Sequence, residues 1–242
     1  FKAGIPQRWG DSARFPDGLL LTARTPVINA DQSRHVVEAN LSLLRPLRLD
    51  QLKLPMSAGV HPDSLVSIKQ KLAAWGWNSN QRLVGIHLSP GGANRSWSAE
   101  RFGEVIAKLA LNNERLRFVL TGTALAAGMR DQVLSLFSQG QRAGLRRAQS
   151  SRESERGFVP SPPRVHDSVI DFVGQTTLSE LSALTSLYAL FIGVDCGPYH
   201  LAVAHGIPVV ALAPTKAVRP IRWGPWGVPH VVLRSPIRCA LY

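Results

Sequence analysis

Cysteine is nearly absent: the 242 residues hold two, Cys196 and Cys239, too far apart in sequence to share a metal-ligand spacing. A disulfide framework and a cysteine-based zinc module are thereby excluded, and a reducing, cytoplasmic setting is expected. Long apolar runs are missing as well. The longest, Tyr188–Val194 and Val209–Ala213, are strand-sized and fall short of the ~18 residues that a spanning helix requires. The opening residues Phe1–Gly10 lack the apolar core and small-residue cleavage site of a secretory signal. Because the chain starts on Phe1 rather than Met, its natural N-terminus is expected upstream. Acidic residues are scarce, 16 against 28 Lys and Arg, for a net charge of +12.

What is present is globular in character. Hydrophobic residues make up 45% and charged residues 18%, enough for a chain of this length to bury a sizeable core. The positive charge is concentrated. Gln139–Arg164 carries six arginines (142, 146, 147, 152, 156, 164) against two glutamates, and Ala213–Arg238 carries five basic residues with no acid. Such an excess fits an anionic partner or a soluble basic face. Interleaved aromatics and a recognition helix are lacking, so nucleic acid is not an expected partner.

From residue 81 onward, short apolar runs alternate with amphipathic ones, the pattern of a parallel sheet wrapped by helices. Leu83–Leu88, Arg117–Leu120, Val169–Val173, Tyr188–Val194 and Pro208–Ala213 read as strands. Ser98–Leu111 reads as a helix capped by Ser98, with Phe102, Val105, Ile106 and Leu109 on one face. The helix after Thr121-Gly122 places Leu125, Met129, Val133 and Leu136 on one stripe. Thr177-Leu-Ser-Glu180 matches a capping box, and a short helix from Pro198 to His205 ends at Gly206. Residues 140–166 are rich in Arg, Ser, Gln, Gly and Pro, and are expected to form a basic disordered insertion. It either touches anionic lipid or is a tolerated loop. Upstream, Asp31–Pro46 and Pro62–Trp75 read as helices. The expected organisation is an incomplete α/β domain over 1–80 and a complete one over 81–242.

Two loops follow strand ends, where open α/β sheets bind ligands. In Ser89-Pro-Gly-Gly-Ala-Asn-Arg95 the glycines permit close backbone approach and the Arg95 guanidinium suits phosphate. Taken alone, the stretch reads by default as a structural loop. In Asp195-Cys-Gly-Pro-Tyr-His200, Pro198 fits the first turn of a helix whose orphan amides form an anion site. A bound diphosphate would gain roughly 0.3 to 2 kcal/mol from the helix dipole and about 1.5 to 3 kcal/mol from each charge-assisted bond, so the individual bonds dominate. Asp195 fits an N-cap or a ligand contact; His200 fits either a ligand contact or a core position satisfied by a backbone carbonyl.

These stretches carry a family resemblance. Asp195-x-Gly-Pro-x-His-Leu-Ala-x-Ala-x-Gly-x-Pro208, Ala-Pro-Thr215 and Gly224-Pro-Trp-Gly227 resemble the C-terminal half of the family 9 glycosyltransferases, typified by lipopolysaccharide heptosyltransferases. Ser89-Pro-Gly-Gly, Arg95-Ser-Trp97, Glu100-Arg-Phe102, Leu120-Thr-Gly122 and Phe172-Val-Gly-Gln-Thr-Thr-Leu178 follow in the family's order, interrupted only by the basic insertion.

The resemblance implies a GT-B architecture of two Rossmann-like α/β domains, with residues 1–80 a remnant of the acceptor-side domain. It implies inverting transfer of a sugar, heptose from ADP-heptose, to a lipopolysaccharide-core glycolipid, without metal or cofactor, by an enzyme that is cytoplasmic and peripheral to the inner membrane. Donor-binding positions carried over are Ser89, Gly91, Gly92, Arg95, Thr121, Gly122, Thr176, Thr177, Asp195, Cys196, Gly197, Pro198, His200 and Lys216. Departures are Arg95 where relatives place Lys, Cys196 in place of Thr, and Ala124-Leu-Ala-Ala127 where an acid suited to ribose is usual. The general base is expected upstream of residue 1. The alternative is a non-catalytic nucleotide-sugar-binding module.

Overall fold

Runs such as Leu83-Val-Gly-Ile86 are apolar on both sides, which suits a strand covered on both faces, and the chain folds accordingly. The computed structural model describes residues 4–11, 21–25, 33–50, 52, 54–89, 96–152, 168–215 and 219–235. They form two units, Phe1–Pro55 with Arg219–Trp226, and Met56–Val218 with Gly227–Tyr242.

In the first unit, β1 (Trp9–Asp11) pairs in parallel with β2 (Ala23–Thr25). Helix α1 (Val36–Leu41) is followed by a 3-10 segment, Ser42–Leu47. His35, rather than Asp31, opens α1. Its Nδ1 accepts from the Val37 amide at 3.2 Å and Glu38 reaches back to the His35 amide at 3.2 Å. With Nδ1 accepting, Nε2 carries the proton and donates to the Gly224 carbonyl at 3.0 Å. The ring stacks on Trp226 at 4.7 Å. One-turn helix α7 (Pro220–Trp223) completes this unit.

The second unit holds α2 (Pro62–Ala74) and a six-stranded parallel sheet, with α3 (Ala99–Asn112), α4 (Ala127–Arg152), α5 (Leu178–Thr185) and α6 (Gly197–Ala204). The strands are β3 (Arg82–His87), β4 (Leu116–Thr121), β5 (Val169–Asp171), β6 (Tyr188–Val194), β7 (Val209–Ala213) and β8 (His230–Arg234). Their order is β5-β4-β3-β6-β7-β8, every neighbouring pair parallel. The main core joins Val84, Ile86 and Leu88 of β3 to Phe102 and Ile106 of α3 and Val133 and Phe137 of α4. Helices α3 and α4 approach closely through small residues. A Cβ on Gly103 would meet the Leu136 Cβ at 2.8 Å, and one on Gly140 would meet the Ala107 Cβ at 2.9 Å.

Three expectations are corrected. Helix α4 runs on to Arg152, so residues 140–152 are not a disordered loop. Gly140 packs on Ala107, and the Gln, Arg, Ala and Leu residues that follow are helix formers once a helix is nucleated. The rest of the expected insertion, 153–166, lies outside the described residues. Second, α2 belongs with the sheet rather than with residues 1–55. Ser64 meets Ser179 at 2.7 Å, Ser67 donates to Glu180 at 2.8 Å, and Lys71 donates to Glu180 at 2.7 Å and to the Gln175 carbonyl at 3.1 Å. Third, Leu125 lies in a 3-10 turn and is 96% exposed rather than on the α4 stripe.

Glu180 gives a pH signature. Its bond to Lys71, then those to the Thr177 amide and the Ser67 hydroxyl, hold its carboxyl at about 2 instead of 4.5. The unfolded chain binds that proton first, so the stabilisation is complete above about 4.5 and drains away as pH falls through about 2. Urea midpoints at pH 7, 4 and 2.5 are expected to fall more steeply for the native protein than for Glu180→Gln. Parallel slopes would show that the Glu180 network has no net effect on folding.

Candidate functional site

The sheet order places a reversal between β3 and β6. From β3 the chain winds outward through β4 and β5, then crosses back to β6 and outward again through β7 and β8. Loops leaving the carboxyl ends of β3 and β6 therefore diverge and leave a crevice, the usual ligand position in such sheets. Register fixes what borders it. Ile86 sits opposite Ile192 on one side and Leu120 on the other. Three residues further along each parallel strand, Ser89, Asp195 and Thr123 leave the sheet at one level.

On the β6 side, Cys196 is the N-cap of α6, with φ −160° and ψ 170°, and Asp195 precedes the cap. Of the two readings for Asp195, the N-cap therefore falls away. Its Oδ1 instead takes a 2.9 Å bond from His200 Nε2, one turn along the helix. His200 thus pairs with a carboxylate rather than with a core carbonyl, and its ring lies edge-on to Tyr199 at 4.9 Å. The Gly197 amide has no helical carbonyl to accept it, Pro198 has no amide, and the Tyr199 amide is directed at the Cys196 sulfur. Gly197 is exposed, and a Cβ built on it would meet nothing within 4 Å among the described residues. Burial, aided by the Asp195 charge, pushes the Cys196 thiol up to about 12, so it is a neutral thiol at physiological pH and no nucleophile.

On the β3 side, the Ser89 hydroxyl accepts from the Thr123 amide at 2.8 Å and lies 3.3 Å from the Thr123 hydroxyl, tying the two loops together. Gly122 makes this possible: a Cβ there would meet Ser89 Oγ at 3.0 Å and the Ala126 Cβ at 2.9 Å. Thr121 is buried, its hydroxyl donating to the Ile86 carbonyl at 3.3 Å and facing His87 Nδ1 at 3.0 Å. A ligand-facing role for that hydroxyl gives way to a structural one. Burial lowers His87 to about 4, so it stays neutral. The next loop follows: the Gly174 amide donates to the Gly122 carbonyl at 2.8 Å and brings Thr176 and Thr177 to the same edge. Thr177 forms the expected capping box, its Oγ accepting from the Glu180 amide at 3.2 Å and Glu180 accepting from the Thr177 amide at 3.0 Å. Its hydroxyl is thereby committed to the cap, leaving Thr176 as the threonine facing the edge without that duty.

Gly91, Gly92, Arg95 and Lys216 lie outside the described residues. Sequence reasoning missed Thr123, His87 and Lys71. The first two sit beside recognised motif residues; Lys71 reaches its partner across 109 residues, which no local pattern signals. Among the described residues no group of three or more His, Cys, Asp or Glu side chains is placed to hold a metal ion, and no helix is long and apolar enough to cross a membrane.

Comparison with known proteins agrees with this architecture. Residues 147–241 match the model of glycosyltransferase family 9 (heptosyltransferase). The chain is 30% identical over 196 residues to lipopolysaccharide heptosyltransferase 3 of Escherichia coli, covering 81% of this chain and 48% of that protein. A homologue from E. coli strain K12 is 28% identical over 192 residues, covering 79% and 47%. The chain thus spans about half the length of the curated relatives it matches. Among solved structures, a family 9 glycosyltransferase from Veillonella parvula superposes with a TM-score of 0.72 at 19% identity, covering 97% of this chain and 57% of that one. An E. coli heptosyltransferase solved with ADP gives a TM-score of 0.54 at 14% identity, covering 95% and 58%. At these identities the structures speak to the fold, which is the α/β fold of GT-B glycosyltransferases.

Proposed function

We propose that this chain, which belongs to glycosyltransferase family 9 (heptosyltransferase), grips a nucleotide-activated sugar, ADP-heptose, for inverting transfer to a lipopolysaccharide-core glycan. The observation that carries the proposal is the N-terminus of α6 at the β3/β6 reversal, where Gly197 is exposed and no described residue lies within 4 Å of a Cβ built on it. Support for the nucleotide comes from the E. coli relative solved with ADP.

In this reading the Gly197 amide and the α6 dipole face the diphosphate, Ser89 and the glycines of its loop approach from the β3 side, and Arg95 and Lys216 add cationic donors. Thr176 borders the nucleoside. Charge develops on the leaving diphosphate as the glycosidic bond breaks, and donors already aimed there favour the transition state over the ground state. No cofactor enters. Asp195, held by His200 at 2.9 Å, is oriented to accept from a sugar hydroxyl. The base that deprotonates the acceptor is assigned to none of these residues, and residues 1–55 are read as part of the acceptor-side domain. The enzyme works in the cytoplasm, at the inner face of the membrane that carries its acceptor.

Titration of the chain with ADP and ADP-heptose tests the reading, followed by incubation with a core acceptor while ADP release is monitored. Saturable ADP binding is expected, with UDP and CDP weaker. Binding without release favours the alternative, a nucleotide-sugar-binding module without catalysis; no ADP binding contradicts both.

A further inference from the structure

The same edge of the sheet carries a second feature that the donor site does not use. On the α3/α4 face, Leu212 of β7 belongs to the core, while its register partner Leu233 on β8 is 54% exposed. The apolar surface runs out from under α3 and forms the floor of a cavity of about 390 Å3. Its walls are Trp97 and Arg101 from the start of α3, and Pro214 and Arg234 from the ends of β7 and β8. Trp97 is fixed edge-to-face against buried Phe102 at 4.7 Å, so the indole is presented rigidly. The guanidinium groups of Arg101 and Arg234 have no hydrogen-bond or ion-pair partner among the described residues, and no carboxylate is among the lining residues. The 14-residue helix α3 also points its positive end here.

A hydrophobic floor, an indole wall and two unpaired guanidinia fit a ring with one apolar face and a dianionic substituent. We propose that this cavity is a second anion site, separate from the crevice at α6, and that it takes a phosphorylated sugar of the acceptor. The proposal rests on the glycosyltransferase reading for the identity of that sugar as acceptor. Guanidinium forks suit the geometry of a phosphate monoester, and the indole suits the carbon face of the ring. The cavity lies between the end of the β3 loop, at Trp97, and the carboxyl ends of β7 and β8, on the edge where the donor sugar would be presented.

The test uses the 242-residue chain and glucose 6-phosphate as probe, with inorganic phosphate and methyl glucoside for comparison, each with and without saturating ADP. Glucose 6-phosphate is expected to bind more tightly than either comparison compound, with ADP present or absent. Arg101→Gln with Arg234→Gln is expected to weaken it by about tenfold or more, with ADP affinity and the circular dichroism spectrum unchanged. The Lys pair is expected to restore part of the loss. Equal binding by the Gln variant, displacement of the probe by ADP, or inorganic phosphate binding as tightly as the sugar phosphate would each overturn the proposal. Probe binding without any ADP binding would leave the anion site standing and sink the donor reading instead.

Discussion

Replacing Gly197 by Ala is expected to weaken ADP binding by about ten- to a hundredfold while leaving the fold intact. The magnitude is that of one or more charge-assisted amide bonds, about 1.5 to 3 kcal/mol each, lost when a methyl group stands between the α6 N-terminus and the diphosphate. The fold has room for the methyl, since no described residue lies within 4 Å of it. The internal cost is confined to crowding of a helical residue before Pro198. Chemical denaturation should therefore show a small loss, and calorimetric titration a large one. If ADP affinity is unchanged, the diphosphate does not lie over these amides.

A second substitution should act on the fold alone and strongly. Gly85, in the middle of β3, makes room for the ring of Tyr188 on β6: a Cβ there would lie 2.2 Å from Cε2 and 2.5 Å from Cδ2. Tyr188 is buried, its hydroxyl lacks a hydrogen-bond partner among the described residues, and burial pushes its ionisation upward. Gly85→Ala is expected to cost at least the usual overpacking penalty of about 1 to 3 kcal/mol, because the ring has nowhere to move within a parallel sheet. Tyr188→Phe, by contrast, removes an unsatisfied buried hydroxyl that costs about 1 to 3 kcal/mol and should stabilise. Urea unfolding of both variants checks the pair. A Tyr188→Phe protein less stable than the parent would mean the hydroxyl has a partner in solution.

Local patterns made most of the second unit legible. Strands β3, β4, β6 and β7 are continuous apolar runs, and the Thr177–Glu180 box and the Ser98 cap are short-range hydrogen-bond motifs. Strand β8 was not readable. It is an edge strand with four of five residues exposed, set between Pro229 and Pro236, so it shows neither a buried run nor a clean alternation. β1 and β2 span three residues each, too few for a periodicity. In the site, the strand-end loops were recognisable because each follows an apolar run and opens a helix, whereas the reversal of strand order between β3 and β6 is set by the sheet and not by local sequence. The Asp195–His200 pair was not, since the spacing of five residues also allows each side chain to face elsewhere. The Ser89–Thr123 tie and the Lys71–Glu180 bridge depend on register and packing between segments far apart in sequence.

The central claim is that the N-terminus of α6 at the β3/β6 reversal holds the diphosphate, and amide NMR during an ADP titration tests it residue by residue. The Gly197 amide resonance should move furthest and saturate with the calorimetric affinity, as expected for a donor taking up a charged acceptor. If ADP saturates the protein while that resonance stays in place and others shift, the nucleotide binds elsewhere and the account is wrong.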